Sequence, residues 1–236
     1  MGNELKILSR KLRAIFKEVA RDLKNKNVTD RNLDELVLDA LKNRAVEIEN
    51  IKINFSEPVD DIYRPEAGRT PYDLLCHGKI NNKPFKIFIN NKFGSLKRNN
   101  KNDVTTYNNL LRLYFGIKSQ RLSEKAEINK KLVLKRLRGE EIVSYGLFVL
   151  DKDTKDFNFF LLEEIDEPFY VNPRNTMFQV RYTPKIRKEP MSYYEFVRKL
   201  VKAIQKSLQK VIEKAVQESE RLESLLDELS GVGGDE

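Results

Sequence analysis

Cysteine and histidine are almost absent from this chain of 236 residues, which contains one of each. The lone Cys76 has no partner for an internal disulfide, which is typical of the reducing cytoplasm, and we expect a cytoplasmic protein. Because no Cys/His cluster exists, a zinc site is not expected. No stretch approaches the roughly 18 apolar residues of a membrane span, and the first residues lack the apolar core of a secretory signal.

Acidic residues are outnumbered, and the formal net charge is +8. Residues 96–138 hold twelve Lys and Arg against three acids, whereas residues 213–236 hold eight acids against two basic residues. A basic balance favours polyanionic partners, nucleic acid among them, although a solvated basic face is the alternative. The candidate DNA contacts in the basic segment are Lys97, Arg98, Lys101, Lys130, Lys131, Lys135 and Arg136.

Residues 69–94 read as two short strands joined by a tight turn. The first strand is predicted over residues 72–80, the turn over 81–84 and the second strand over 85–93. Side chains two apart on a strand share a face, so Asn90 and Lys92 point the same way and Asn91 points the other way. If the strands pair, Asp73 lies close to Asn90 and Lys92. An ordinary surface hairpin is the alternative interpretation.

One end of the predicted sheet would hold a carboxylate, an amide oxygen and an ammonium group. Such a set of groups can bind a metal ion. Mg²⁺ prefers oxygen ligands and keeps several waters, so one or two side chains and a phosphate complete its shell. A neighbouring lysine can orient a water or stabilise charge on the phosphate. In this interpretation Asp73 is the anionic ligand, Asn90 offers its amide oxygen and Lys92 lies two residues further on.

The sequence Pro71-Tyr72-Asp73, followed by Ile89-Asn90-Asn91-Lys92, resembles the active-site signature of the PD-(D/E)xK nuclease superfamily. That signature has an Asp on one strand, then Asp or Glu, any residue, and Lys on the next. Asp73 and Lys92 match it, whereas Asn90 replaces the second acid. Some restriction enzymes of the superfamily carry Asn or Gln at that place.

The resemblance implies an α+β, restriction-endonuclease-like fold in which helices flank a mixed central sheet. It also implies a type II restriction enzyme that cuts a specific site in double-stranded DNA with Mg²⁺ as a homodimer. The metal ligands would be Asp73, Asn90 and the main-chain carbonyl of Asn91, and the catalytic residues Asp73, Asn90 and Lys92. A Glu on the helix before the sheet sometimes adds a metal contact in the superfamily. Glu35 is a candidate for it, with a solvated helix face as the alternative.

The remaining elements are expected in the order that such a nuclease core requires. Amphipathic spacing predicts helices over residues 4–24 and 33–41, the second capped by Asp30. A strand is predicted over residues 46–55, and Asp103 is expected to cap a helix over residues 104–115. Further predictions are a basic helical segment over residues 118–139 and strands over residues 142–150, 157–165, 169–171 and 178–182.

The end of the chain completes one predicted nuclease domain over residues 1–236, with its core at about residues 30–183. Arg174 and Asn175 lie in a polar loop and suit guanine and adenine in the major groove, although a plain turn is an equal alternative. Ser192 and Glu195 form a capping box before a long helix to about residue 229. Its apolar stripe needs a partner, either the first helix or a second subunit.

Two other functions compete with the nuclease interpretation. A non-catalytic nucleic-acid-binding module on the same fold would keep the basic face, with Asn90 marking the loss of a metal ligand. A helical interaction protein would use the terminal helices, but it leaves the basic segment unexplained.

Overall fold

The computed structural model describes residues 2–42, 44–48, 50–58, 72–97, 100–117 and 128–232. The helices in these ranges are α1 (Gly2–Leu23), α2 (Leu33–Leu41), α3 (Tyr107–Phe115), α4 (Lys130–Leu137) and α5 (Tyr193–Val232), with a 3₁₀ turn at Leu162–Glu164. The strands are β1 (Val46–Ile48), β2 (Ile51–Ser56), β3 (Leu74–Ile80), β4 (Lys83–Gly94), β5 (Lys101–Thr106), β6 (Ile142–Asp151), β7 (Phe157–Leu161), β8 (Tyr170–Val171) and β9 (Met177–Arg181).

Six strands form the central sheet in the order β1-β2-β3-β4-β6-β7. β4 and β6 run parallel, and the other neighbours are antiparallel. A second sheet, in the order β5-β9-β8, is antiparallel. The mixed central sheet and its flanking helices confirm the expected α+β, restriction-endonuclease-like fold class.

The alternation of β4 divides the core between the two faces of the sheet. Phe85, Ile87 and Ile89 pack with α1 and α2 on one face. Phe88 packs on the other face with α3, the second sheet and the first turns of α5. Side chains two residues apart share a face, so β4 presents Asn90 and Lys92 to the second face and Asn91 to the first.

The predicted hairpin is present, but its turn is shorter than predicted. Only Asn81 and Asn82 form it, both with positive φ (49° and 64°), as a two-residue turn between right-twisted strands requires. Pro84 belongs to β4 and faces Lys79 on β3. A proline is accommodated there because the pairing of β4 with β6 begins only at Phe85.

Three predicted elements are wrong in their boundaries. The strand expected over residues 46–55 is a hairpin of β1 and β2, because Asn50 lies in a turn between them. The predicted helix over residues 104–115 starts at Tyr107, since Asp103 pairs within β5. β7 ends at Leu161, four residues short of the predicted end, and the chain continues into the 3₁₀ turn.

Two predicted helix caps are also wrong. Thr106, whose hydroxyl accepts a hydrogen bond from the Asn109 N–H at 3.3 Å, caps α3 in place of Asp103. The N-cap of α2 is Asn32 and not Asp30.

The long C-terminal helix begins where its capping box predicts. The Ser192 N–H donates to Glu195 Oε2 at 2.8 Å, and the Glu195 N–H donates to Ser192 Oγ at 3.3 Å. Phe196 and Leu200 pack in the core of the second face. α1 lies on the opposite face, so it does not cover this helix and that alternative is wrong. Within the described residues, no helix combines the length and the apolar character needed to span a membrane.

Candidate active site

Asp73 lies immediately before β3, where that strand leaves its pairing with β4. Its backbone N–H donates to the Ile89 carbonyl at 2.9 Å, which extends the ladder by one bond. Its carboxylate Oδ2 accepts the backbone N–H of Asn91 at 2.7 Å. Two consecutive contacts therefore fix the carboxylate beside the stretch of β4 that carries Asn90 and Lys92.

Asn90 lies on β4, beside Tyr145 of β6, on the face that Asp73 approaches. The side chain is buried, and its Oδ1 has no hydrogen-bond partner. The Tyr145 hydroxyl, itself fully buried, is hydrogen-bonded by the Asn90 and Thr105 side chains. Since Oδ1 is unpartnered, the Asn90 amide bonds the tyrosine through its NH₂ group and leaves its oxygen available to a ligand.

Asn91 extends the site through both its backbone and its side chain. Its Nδ2 donates to Asp34 Oδ1 on α2 at 3.0 Å, while its own Oδ1 is buried without a partner. The N–H and C=O of one strand residue point to the same side. Because the N–H reaches Asp73, the Asn91 carbonyl also faces that side, beyond the end of the β3–β4 pairing.

Burial and charge together perturb the Asp73 carboxyl. Burial, and after it the negative charge of Asp34, raise its pKa from 3.8 to about 6. The hydrogen bond from Asn91 and the positive charge of Lys92 act in the opposite direction without cancelling the rise. Asp73 therefore carries its charge in a poorly solvated place near a second carboxylate, an arrangement that a bound cation would stabilise.

Asp34 is the acidic residue that sequence reasoning missed. Glu35 was the candidate on α2, but Asp34 makes the contact with Asn91. Both are exposed and adjacent, so only the rotation of α2 against β4 decides between them, and the sequence does not give that rotation. In the described residues, no three of His, Cys, Asp and Glu come together as a metal-binding group. Asp60, Asp61 and Glu66, which the sequence offers as candidates for a missing metal ligand or as plain solvated loop acids, lie outside the described residues.

A basic groove of about 660 Å³ opens on the sheet face that Asp73 approaches. It follows the outward side chains of β2, β3 and β4, with Lys52, His77, Lys79 and Lys86 in its lining. Burial, together with the charge of Lys86, lowers the pKa of His77. The lysines are scattered through the sequence, which is why a search for basic runs overlooked them.

The predicted DNA contacts divide into exposed residues and one buried residue. Arg136 is a correction, because its guanidinium is buried, donating to the Leu113 and Tyr114 carbonyls at 2.6 and 2.9 Å and to Glu141 at 3.1 Å. It ties α4 to the end of α3 and is not placed to contact DNA. Arg98 lies outside the described residues. The exposed candidates are Lys97, Lys101, Lys130, Lys131, Lys135, Arg174 and Asn175.

Comparison with known proteins gives the family. The chain is 60% identical over 205 residues to the type II restriction enzyme MjaIV of Methanocaldococcus jannaschii, a match that covers 86% of this chain and 83% of that protein. The chain belongs to the type II restriction enzymes. No protein-family model matches this restriction enzyme.

Proposed function

We propose that this restriction enzyme is a Mg²⁺-dependent, site-specific deoxyribonuclease of the PD-(D/E)xK type that hydrolyses DNA at Asp73, Asn90 and Lys92. Membership of the type II restriction enzymes supports site-specific cleavage of DNA. One observation carries the location of the site. The buried Asn90 Oδ1, which has no hydrogen-bond partner, lies on the sheet face that Asp73 approaches, and the pKa of the Asp73 carboxyl is raised by burial and by a second carboxylate.

The chemistry of these groups fits Mg²⁺. Hard cations select carboxylate, amide and carbonyl oxygens and retain waters. The proposed ligands are Asp73, Asn90 Oδ1 and the Asn91 main-chain carbonyl, with Asp34 as an additional carboxylate on the other side of Asn91. A Mg²⁺ ion held by these oxygens would supply positive charge that polarises a phosphate and makes a neighbouring water easier to deprotonate.

Each side chain then has a distinct role in hydrolysis. Asp73 supplies the negative charge that holds the cation, and its bond to the Asn91 N–H fixes the geometry. Lys92 orients the water and stabilises charge on the phosphate. The water attacks phosphorus, the bond to the 3′-oxygen breaks, and the product keeps a 5′-phosphate.

Tyr145 is proposed as a positioning residue. Its buried hydroxyl holds the Asn90 amide in the orientation that frees Oδ1. Partners that orient metal ligands in this way commonly change metal affinity or activity by about 10- to 100-fold when removed.

Double-stranded DNA is the proposed substrate, held by phosphate contacts on both sides of the site. Lys130, Lys131 and Lys135 are exposed on α4, and the basic groove runs along β2, β3 and β4 on the sheet face that Asp73 approaches. Phosphate contacts position the duplex, whereas base contacts read its sequence. Arg174 and Asn175 are the proposed readers of bases, and a homodimer would bring one active site to each strand.

Plasmid digestion tests the proposal. We expect discrete fragments with Mg²⁺ and none with EDTA. Asp73→Ala should abolish cleavage while leaving DNA binding nearly intact, because it removes the central carboxylate. The matched control is Asp39→Ala, which removes an exposed carboxylate of α2 that faces Lys42. Full cleavage by Asp73→Ala would overturn the assignment, and binding without cleavage by the unmodified enzyme would favour the non-catalytic module.

A further inference from the structure

The far part of α5 has no partner within the described chain. Every residue from Leu208 to Ser224 is exposed, although α5 is buried in the core up to Ser207. Leu208, Val211 and Leu222 repeat at heptad positions on this segment, and Ile212 and Val216 lie next to them. A contiguous exposed apolar stripe on a helix marks an interaction surface.

The charges of α5 run against the helix's own dipole. The half from Tyr193 to Lys214 has six Lys and Arg against two acids, and residues 215–232 have five acids against Arg221 alone. A helix dipole favours acids at the N-terminus and basic residues at the C-terminus, so this distribution destabilises an isolated helix. Within the exposed segment, residues 208–216 have two Lys against Glu213, and residues 217–225 have three Glu against Arg221. A second helix of the same sequence that runs antiparallel would place these two parts against each other and oppose the two dipoles.

We propose that two copies of this chain pair through α5 as an antiparallel two-helix coiled coil. The inference goes beyond the catalytic proposal, since it assigns the surface and the orientation of the dimer. Heptad layers match when the two-fold axis passes between Val216 and Gln217. Val211 of one copy then lies opposite Leu222 of the other, and Ala215 lies opposite Glu218 beside Lys214. Both copies use the same patch, as a two-fold interface requires.

A groove on the same face of α5 supports this register. It has a volume of about 710 Å³, is mainly apolar and lies between α5 and the loop at Pro173 and Arg174. Its helical lining runs from Lys210 to Leu222, so its midpoint coincides with the proposed two-fold axis within one residue. Arg174 is among the residues that line this groove.

The length of α5 also allows the two globular bodies to avoid each other. In this register residue 207, the last buried position, lies opposite residue 226 of the second copy. The intervening overlap of 18 residues, 208–225, is about 27 Å long at 1.5 Å per residue. The exposed part of each helix is therefore covered by the exposed part of the other.

Cysteine cross-linking tests the orientation, because the one native cysteine, Cys76, is buried. Val211→Cys and Leu222→Cys proteins are prepared separately, then oxidised mildly alone and as a mixture. We expect disulfide-linked dimers in the mixture and almost none in either sample alone. In the antiparallel register two Val211 positions are separated by 11 residues, or about 16 Å along the axis, too far for a disulfide.

The matched control uses Glu213→Cys mixed with Glu220→Cys, which have the same axial offset on the outward face of α5. An equal yield from this control would mean random collision and overturn the proposal. Cross-linking of each variant alone, without the mixed product, would show parallel pairing instead. Absence of any cross-link, together with weaker DNA binding by Lys210→Gln/Lys214→Gln, would assign the groove to DNA. None of these readouts depends on cleavage, so failure of the catalytic proposal leaves the test intact.

Discussion

At the scale of single residues, the ionisation of Asp73 links the proposed metal binding to stability. Its pKa is raised from 3.8 to about 6 in the folded enzyme, chiefly by burial. Both states carry the proton below about pH 3, whereas above pH 6 the folded state holds a poorly solvated charge. The contribution is therefore destabilising, develops between those pH values, and amounts to at most about 3 kcal/mol for two pKa units.

We accordingly expect Asp73→Asn to be more stable than the unmodified enzyme at pH 7.5 in EDTA, by about 1–2 kcal/mol. The amide oxygen still accepts the Asn91 N–H, and the charge is gone. Denaturant unfolding at pH 7.5 and pH 3 measures this, and the difference should vanish at pH 3. Mg²⁺ should stabilise the unmodified enzyme and not the variant. Equal stability of the two proteins at pH 7.5 in EDTA would contradict the description of the site.

Asn90 gives a second test at this scale. Asn90→Asp restores the acid of the superfamily signature, so cleavage should persist or rise if Oδ1 binds the metal. It should fall if Asn90 acts only by donating from its NH₂. Tyr145→Phe should raise the Mg²⁺ concentration needed for half-maximal cleavage by about tenfold while leaving DNA affinity unchanged. Reduced DNA affinity in that variant would indicate a general structural role.

At the scale of elements, α4 carries both a structural arginine and candidate DNA contacts. The last carbonyls of an α-helix lack partners within the helix. Arg136 accordingly donates to the carbonyls of Leu113 and Tyr114 in the last turn of α3. Its positive charge there also interacts favourably with the negative end of the helix dipole. The exposed face of the same helix presents Lys130, Lys131 and Lys135.

These two faces of α4 should respond differently to substitution. Arg136→Met should destabilise the enzyme by about 3 kcal/mol, because buried carbonyls and Glu141 lose a charged donor. The triple variant Lys130→Gln/Lys131→Gln/Lys135→Gln should leave stability almost unchanged. It should weaken binding to all DNA sequences alike and reduce the slope of log affinity against log salt concentration. Unfolding curves and binding titrations at several salt concentrations separate the effects. An unchanged salt slope would place α4 away from DNA.

Elements with strong periodicity were predictable from the sequence, and their contacts were not. Alternation located β4, and the capping box located the start of α5 within a residue. The local pattern did not predict the turn at Asn50, where the single strand expected from the sequence folds back as two strands. Arg136 was misassigned because a basic residue on a short amphipathic helix reads as solvated, and only the packing of α4 against α3 buries it. Asp34 was missed because only the packing of α2 against β4 turns it, rather than Glu35, towards Asn91.

At the scale of the whole molecule, assembly determines how many strands are cut in one encounter. We expect the full-length enzyme to sediment as a dimer at micromolar concentration, and a chain ending at Val216 to shift toward monomer. The truncated chain retains the central sheet, so it should still hydrolyse phosphodiester bonds. With one active site per binding event, it should accumulate nicked circles before linear plasmid. A clean full-length monomer, with or without DNA, would defeat the dimer hypothesis.

The hydrogen bond from the Asn91 amide to Asp73 has a kinetic consequence. This amide lies in a central strand, so its proton should exchange with solvent deuterium only when the sheet opens. In Asp73→Ala the same amide loses its acceptor while its neighbours on β4 keep their ladder bonds to β6. Its exchange should then accelerate alone, and that isolated change would report directly on the contact that joins the two strands of the site.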